Sequence, residues 1–212
     1  YDFGIQKTDK GFIYSSQNFT YEFPTPSLFG DHQLINAASV IALISLIKKQ
    51  FYINNEAIAK GLQNTIWSAR IEKINPQKYS RLIGDNVQIW VDGAHNNSGA
   101  QALTAWIRDN LKSPIYLILG MTKNRNIEEF CAYFKGLITK GYGIKVLSET
   151  LSYNAEIIAL EASKTGIDFA ASESLEEAIM DIKKINGDNK ANIIITGSLF
   201  LAADFYKLLS TH

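Results

Sequence analysis

A short apolar segment of this chain ends abruptly in residues that can do chemistry. Val87–Val91 reads VQIWV, Asp92-Gly93-Ala94-His95-Asn96 follows directly, and apolar positions at helical spacing begin near Ala100. A strand–turn–helix of this kind places a carboxylate, an imidazole and an amide at the carboxyl end of a strand, where open α/β sheets bind ligands. The alternative is a solvated turn in which Asp and Asn serve the local geometry and the histidine is incidental.

Two other predicted strands also end in polar turns that contain glycine. Gly120-Met121 and the residues up to Asn126 follow the apolar segment at 115–119, and Thr196-Gly197-Ser198 follows the segment at 192–195. The carboxyl ends of parallel strands lie along one edge of a sheet, so these turns and the first can face one cleft. Glycine there lets backbone N–H groups approach a ligand closely.

The first long helical segment carries two more candidate residues. Apolar residues occur nearly all round it from Leu34 to Ile47, so we expect this helix to be buried on most faces. A buried Asn36 needs partners for its carbonyl and amide groups, which a ligand can supply; bonding to neighbouring backbone is the alternative. His32, beside a polar turn, is as consistent with a structural role as with a functional one.

Arg70 stands at the start of an otherwise apolar strand segment. Its guanidinium offers a rigid fork of donors that matches phosphate oxygens. A surface ion pair with Glu72 or another acid is the alternative, and the sequence alone leaves both interpretations open.

Composition argues against several classes of function. The 212 residues carry 21 Lys and Arg against 21 Asp and Glu, so no electrostatic footprint for nucleic acid is present. No apolar run reaches membrane-spanning length and no signal-peptide pattern is visible, so we expect no membrane span. The single Cys131 lies in a helical pattern beside Phe130 and Phe134, which is typical of a buried hydrophobe in a reducing cytoplasm.

Several well-known nucleotide and metal motifs are missing from these residues. No GxGxxG follows the first strand of the repeat, which argues against a dinucleotide oxidoreductase. No GxxxxGK[ST] loop is present to hold a triphosphate in the usual way. No HExxH or CxxC spacing suggests zinc, so we predict no metal ligands in this sequence.

The chain order predicts an α/β fold preceded by a small antiparallel element. Residues 2–23 alternate between apolar and polar and predict a three-stranded meander, with the apolar helix after it. Strand and helix patterns then repeat, which indicates a Rossmann-like three-layer domain with a mainly parallel sheet. We predict domains at 1–53 and 54–212. Residues 1–53 begin with a predicted strand and offer few residues for a hydrophobic core of their own. We therefore interpret them as the end of another domain.

The repeat gives specific elements to test. The predicted strands are 68–74 with 82–83 nearby, 87–91, 115–119, 145–147, 169–170 and 192–195. The predicted helices are 56–64, with Asn54-Asn55 as linker and N-cap, then 98–110, 127–139, 154–164, 175–186 and 200–210.

These residues, taken in order, resemble a known family. The matching blocks are Phe29-Gly-Asp-His-Gln33 with Asn36-Ala-Ala38, Gly61-Leu62, Trp67-x-x-Arg70-x-Glu72, Asp92-Gly-Ala-His-Asn96, Gly120-Met121 and Thr196-Gly-Ser-Leu199. The set is similar to folylpolyglutamate synthase/dihydrofolate synthase, a branch of the Mur ligase superfamily, over about residues 28–205. The ordered spacing makes the resemblance specific, whereas single blocks would be weak.

The resemblance implies a two-domain ligase of which this sequence is the C-terminal portion. Family members join an ATPase domain carrying a P-loop to a Rossmann-like domain; ATP phosphorylates a carboxylate, and the amine of L-glutamate attacks the acyl phosphate. We therefore expect residues 1–53 to be the end of the ATPase domain and 54–212 to be the C-terminal domain. The P-loop and the Mg²⁺ ligands are then expected upstream of Tyr1.

Site roles carried over by motif position concern the nucleotide first. Asn36 would hydrogen-bond the adenine, Arg70 would contact the ATP phosphates, and Asp92 would bind the ribose hydroxyls. His95 would contact phosphate or the incoming glutamate, so Arg70 and His95 are the catalytic candidates. Ser198 is a weaker candidate for the glutamate carboxylates.

The sequence also departs from the usual pattern of the family. Ser68-Ala69 stands where Pro-Gly is common before the Arg, and Asn97 stands where Pro is common. Asn124-Arg125-Asn126 replaces an Asp-Lys-Asp, which removes two carboxylates and is the change most able to alter substrate preference.

Two functions from different classes follow. The first is an ATP-dependent, cytoplasmic and monomeric ligase that adds L-glutamate to folate or to dihydropteroate and is inactive as this portion alone. The second is a non-catalytic nucleotide-binding or regulatory module with the same fold. A ligase acting on a cell-wall precursor is disfavoured by His32-Gln33 and by the Asp92–His95 block.

Overall fold

The computed structural model describes residues 3–17, 19–112 and 114–211, with Lys49 described by its backbone only. The chain divides into two compact units, Tyr1–Trp67 and Ser68–His212. Each unit has its own hydrophobic core.

The first unit is a β-meander with two helices. Strands β1 (Phe3–Thr8), β2 (Gly11–Ser16) and β3 (Phe19–Pro24) pair antiparallel in that order, which confirms the predicted meander. Helices α1 (Asp31–Phe51) and α2 (Asn55–Asn64) follow. The core consists of aromatic residues of β2 and β3 against apolar helix residues: Phe12, Tyr14, Phe23, Leu34, Ala37, Ala38, Ile41 and Ile58.

The prediction that α1 is buried on most faces is wrong. Of its described side chains only Gln33, Leu34, Ala37, Ala38 and Ile41 are buried, whereas Leu43 is 65% exposed. Spacing explains the difference: positions at i, i+3, i+4 and i+7 form one face, and the remaining apolar residues lie outside it. The polar Asn36 is accordingly exposed, not buried.

Helix α2 belongs to the first unit. Asn54 caps it, because its side chain accepts from the N–H of Ala57 at 2.8 Å. The helix therefore begins at Asn55, one residue before the predicted Glu56. Ile58 packs in the core of the first unit, so the division between units falls after Trp67 and not at the predicted residue 53. The assignment of either unit to a ligase domain stays a prediction.

The second unit is a mixed α/β domain. Its strands are β4 (Glu72–Lys73), β5 (Val87–Val91), β6 (Ile115–Leu119), β7 (Lys140–Ile144), β8 (Phe169–Ser172) and β9 (Ala191–Thr196). They lie in the order β4-β5-β9-β6-β7-β8, with β4 antiparallel to β5 and every other pairing parallel. The predicted α/β fold with a mainly parallel sheet is confirmed.

Helices cover both faces of this sheet, which makes the three layers. They are α3 (Ser80–Ile83), α4 (Asn97–Asn110), α5 (Ile127–Ala132), α6 (Ala155–Ser163), α7 (Leu175–Asn186) and α8 (Leu199–Ser210). One core cluster joins residues of α3, α7 and α8 to the sheet, and a second joins residues of α4, α5 and α6. Cys131 lies in the second cluster, and burial raises the pKa of its thiol to about 12, as expected for an inert hydrophobe.

Two of the predicted elements have other bounds in the structure. The strand predicted at 145–147 lies earlier in the chain, as β7 (Lys140–Ile144). Gly141 and Gly143 obscured it in the sequence, because glycine normally weakens a strand. A Cβ on Gly141 would lie 2.4 Å from the Phe169 ring, and one on Gly143 would lie 2.7 Å from the carbonyl oxygen of Ala155. Glycine is thus required for close packing. The helix predicted over 127–139 ends at Ala132.

The segment from 68 to 83 also differs from the prediction. The strand expected at 68–74 is reduced to β4, and residues 82–83 lie in the short helix α3, not in a strand. Around Arg70 the backbone is irregular, since Ala69 and Ile71 both have positive φ, at 56° and 50°. Across the described residues, no helix combines the length and apolar character needed to cross a bilayer.

Candidate functional site

The three polar turns of the second unit meet at the carboxyl edge of the sheet. Strand β9 lies between β5 and β6, so their ends are neighbours. The Gly197 N–H donates to the Ala94 carbonyl at 2.9 Å, and the Gly120 N–H donates to the Thr196 carbonyl at 3.2 Å. The predicted shared edge is confirmed.

Glycine is required at two of these positions. Gly197 has φ 104°, and a Cβ on it would lie 2.6 Å from the carbonyl oxygen of Gly120. A Cβ on Gly93 would lie 2.3 Å from Leu199 Cδ2 and 3.1 Å from Arg70 Nη1. The Arg70 guanidinium therefore lies against the turn that follows β5.

Asp92 organises this turn. Its side chain is 8% exposed; Oδ1 accepts from the Ala94 N–H and Oδ2 from the Ile71 N–H, both at 2.8 Å. A carboxylate that accepts a backbone N–H at each oxygen ties the turn after β5 to the segment around Arg70. Binding of ribose hydroxyls by Asp92 stays a prediction, and it would have to use the remaining lone pairs.

Arg70 is partly exposed, and the alternative of an ion pair with Glu72 is wrong. Its Nη1 lies 3.4 Å from the Ala69 carbonyl, while Glu72 Oε2 accepts from the Ala69 N–H and from the Tyr206 hydroxyl. Within 3–17, 19–112 and 114–211 no carboxylate pairs with Arg70. A guanidinium without a carboxylate partner at the edge of a cleft suits an anionic ligand.

His95 lines a cavity of about 470 Å³ with residues of the turn after β6. Its Nδ1 lies 2.9 Å from the Gly93 carbonyl oxygen, which can only accept, so Nδ1 carries a proton and Nε2 is left for another partner. Arg125 lines the same cavity. Sequence reasoning missed this side chain as a site residue, although its place in a strand-end turn was the available signal.

Ser198 is buried at the start of α8. Its Oγ accepts from the Phe200 N–H at 3.1 Å, so it caps the helix. This capping role explains why a serine stands here even if it binds no ligand. Contact with the glutamate carboxylates stays a prediction.

Asn36 belongs to the first unit. Its Nδ2 donates to Gln33 Oε1 at 3.0 Å, and Gln33 Nε2 lies 3.0 Å from His32 Nε2. No described residue donates to Asn36 Oδ1. The exposed amide can therefore present an acceptor to a base edge, which fits the adenine role but leaves it a prediction.

The implied Mg²⁺ has no dedicated cluster of ligating side chains among the described residues. Among them no group of three or more His, Cys, Asp or Glu side chains is arranged to hold a metal ion. The nucleotide fits better, because the unpaired guanidinium of Arg70 matches the charge of phosphate groups.

Comparison with known proteins supports the resemblance. Residues 75–208 match the family described as dihydrofolate synthetase, C-terminal domain. A dihydrofolate synthase/folylpolyglutamate synthase of Bacillus subtilis is 27% identical over 201 residues, which cover 93% of this chain and 44% of the relative. The chain thus spans less than half the length of this relative.

Solved structures share the fold at lower identity. E. coli FolC in complex with DHPP and ADP aligns with a TM-score of 0.77 at 19% identity, over 99% of this chain and 46% of its own. A bifunctional folylpolyglutamate synthase/dihydrofolate synthase with Mn, AMPPNP and L-glutamate bound aligns with a TM-score of 0.78 at 18% identity, over 98% of this chain and 46% of its own. Because the family match covers residues 75–208, more than half of the sequence, the chain belongs to the dihydrofolate synthetase C-terminal domain family.

Proposed function

We propose that this chain is the C-terminal portion of an ATP-dependent ligase that adds L-glutamate to a folate, or to dihydropteroate, through an acyl phosphate. The observation that carries the proposal is the position of Arg70. Its guanidinium, without a carboxylate partner among the described residues, lies beside Gly93 at the edge where three strand ends meet. The family match and relatives crystallised with ADP, AMPPNP and L-glutamate support it.

In this proposal Arg70 stabilises charge on the phosphates. ATP supplies the phosphoryl group that activates the acceptor carboxylate. A fixed guanidinium near the transferring group lowers the barrier because it stabilises negative charge without reorganising during the reaction. Asp92 is the proposed contact for the ribose hydroxyls, in addition to the Ala94 and Ile71 N–H groups from which it accepts. In the first unit, taken separately, Asn36 is the proposed contact for adenine.

The cavity beside His95 is the proposed place for glutamate. His95 Nε2 and Arg125 lie at its wall, and together they can bind the carboxylates of an amino acid. Ser198 is a weaker contact for the same group. The Mg²⁺ that accompanies ATP is assigned to residues outside this sequence.

The test compares the 212-residue chain with the longer protein proposed to contain it. Each is incubated with ATP, Mg²⁺, L-glutamate and either dihydropteroate or tetrahydrofolate, and ADP and the folate product are measured. We expect the longer protein to release ADP only when both glutamate and an acceptor are present. We expect the 212-residue chain to release none, because half of the nucleotide site is assigned elsewhere.

Two results contradict this proposal. Glutamate-dependent ADP release by the 212-residue chain alone would show that the active site is complete within it. Nucleotide binding by the longer protein without turnover of either acceptor would favour the non-catalytic module.

A further inference from the structure

The backbone on either side of Arg70 is held in an unfavourable conformation. Ala69 and Ile71 have φ of 56° and 50°, in the left-handed region that non-glycine residues rarely adopt. The β-branched Ile71 is especially disfavoured there. Both residues are 2% exposed. Such a conformation persists only where surrounding contacts determine it.

One group of contacts comes from the end of the chain. The Tyr206 hydroxyl, on α8, donates to Glu72 Oε2 at 2.6 Å and accepts from the Ala69 N–H at 3.1 Å. The same N–H lies 3.0 Å from Glu72 Oε2. Burial and the hydrogen bond to Glu72 raise the pKa of the Tyr206 phenol, so it remains a donor at neutral pH.

A second group of contacts comes from the turn after β5. The Gly93 N–H donates to the Ala69 carbonyl at 2.9 Å, and Asp92 accepts from the Ile71 N–H. The peptide groups on both sides of Arg70 are thus fixed, while its own side chain remains partly exposed. The loop can change shape only if one of these contacts breaks.

We propose that Tyr206 and Glu72 are positioning residues for Arg70: their hydrogen bond holds the Ala69–Ile71 loop in the shape that places the guanidinium beside Gly93. The inference rests on the proposed function for its effect on turnover, but the loop geometry is testable without it. Neither residue touches the ligand; both act through Arg70.

The variant Tyr206→Phe tests this because it removes one hydroxyl and keeps the ring packing. Tyr79→Phe is the matched control: Tyr79 also lies in the core of the second unit, where its hydroxyl donates to the Val87 carbonyl at 3.0 Å and accepts from the Ile89 N–H at 3.3 Å. The control loses a similar pair of hydrogen bonds, but these join Tyr79 to the backbone of β5 and not to the Ala69–Ile71 loop.

The first measurement is hydrogen exchange of the ligand-free protein. We expect the Ala69 amide to exchange about ten-fold faster in Tyr206→Phe than in Tyr79→Phe, after correction for global stability, because its acceptor pair is broken. Equal protection of this amide in the two variants would overturn the positioning role, whether or not the protein is a ligase.

The second measurement uses turnover of the longer protein. We expect Tyr206→Phe to lower kcat about ten-fold with little change in the KM for L-glutamate, and Tyr79→Phe to leave both unchanged. Glu72→Leu should behave like Tyr206→Phe, whereas Glu72→Gln should recover most of the turnover because its amide oxygen still accepts both bonds.

A double variant shows whether the effect passes through Arg70. In an Arg70→Ala background, Tyr206→Phe should cause no further loss of kcat, since its target is gone. A further ten-fold loss would overturn the proposal. Absence of any glutamate-dependent turnover in the unsubstituted protein would instead reject the ligase assignment, and the exchange result would then decide the loop geometry alone.

Discussion

The loops after β5 and β6, on either side of β9, are built in opposite ways. The first loop region consists of the Asp92-Gly93 turn and the Ala69–Ile71 segment that packs against it. Ala69, Ile71 and Asp92 are buried there, and hydrogen bonds join the two segments, from the Ile71 N–H to the Asp92 carboxylate and from the Gly93 N–H to the Ala69 carbonyl. The second loop region, residues 123–126, has exposed side chains throughout. Two hydrogen bonds connect it to distant residues: the Lys123 N–H donates to the Leu151 carbonyl, and the Tyr153 hydroxyl donates to the Arg125 carbonyl. Its other bonds are local, since Asn126 caps α5 and bonds with Glu129.

This difference indicates that the two loop regions have different roles, one in stabilising charge and the other in recognising a substrate. A group that must stabilise charge in a transition state has to be preorganised, and the first loop region fixes Arg70 in this way. A surface that recognises a substrate can tolerate exchange of exposed side chains, as the second loop region can. Substitutions in the first should therefore have large effects and those in the second small ones.

The largest effect is expected for Arg70→Ala in the longer protein. Loss of the guanidinium removes the proposed stabilisation of phosphate charge, so kcat should fall about 10²- to 10³-fold. The side chain is partly exposed, so the unfolding midpoint should change little. Arg108→Ala, which removes the same charge from α4, is the control. Turnover within two-fold of the parent would remove Arg70 from the active site.

A smaller but measurable effect is expected for Asp92→Asn in the 212-residue chain. The amide nitrogen of Asn cannot accept, so either the Ala94 or the Ile71 N–H loses its partner in a buried setting. The free energy of unfolding should decrease by about 2 kcal/mol in urea titrations. Asp109→Asn, at an exposed position of α4, should leave it unchanged. Equal midpoints for the two variants would show that Asp92 does not organise the first loop region.

The sequence predicted the strands that end at the carboxyl edge of the sheet better than it predicted the loop that positions Arg70. Apolar runs at 87–91 and 115–119 coincide with β5 and β6, because strands covered on both faces have a strong compositional signal. Ala69–Ile71 has no such signal. Its conformation is imposed by hydrogen bonds to Asp92 and Tyr206, which lie elsewhere in the sequence. Neither Ala69 nor Ile71 has a preference of its own for the left-handed region.

Burial was the other quantity that local pattern failed to predict. Asn36 was expected inside a helix surrounded by apolar residues, but α1 packs on one face only and Asn36 lies outside it. Hydrophobic composition shows which residues can be buried, whereas the partner surface decides which of them are. The same applies to Arg125, whose place in the cavity with His95 depends on how the turn after β6 folds back.

The smallest effect on stability is expected in the second loop region, for Asn124→Asp combined with Asn126→Asp. Asp tolerates the positive φ of 74° at position 124, and at position 126 it still accepts from the Glu129 N–H. It loses the bond that Asn126 Nδ2 donates to Glu129 Oε1 and places two exposed carboxylates side by side, so the free energy of unfolding should decrease by no more than about 1 kcal/mol. Two new negative charges beside the cavity with His95 should raise the KM for L-glutamate about 2- to 5-fold without changing kcat. The single variants separate the two positions in steady-state assays of the longer protein. An unchanged KM would place glutamate away from this cavity, and a ten-fold loss of kcat would mean that the second loop region is as constrained as the first.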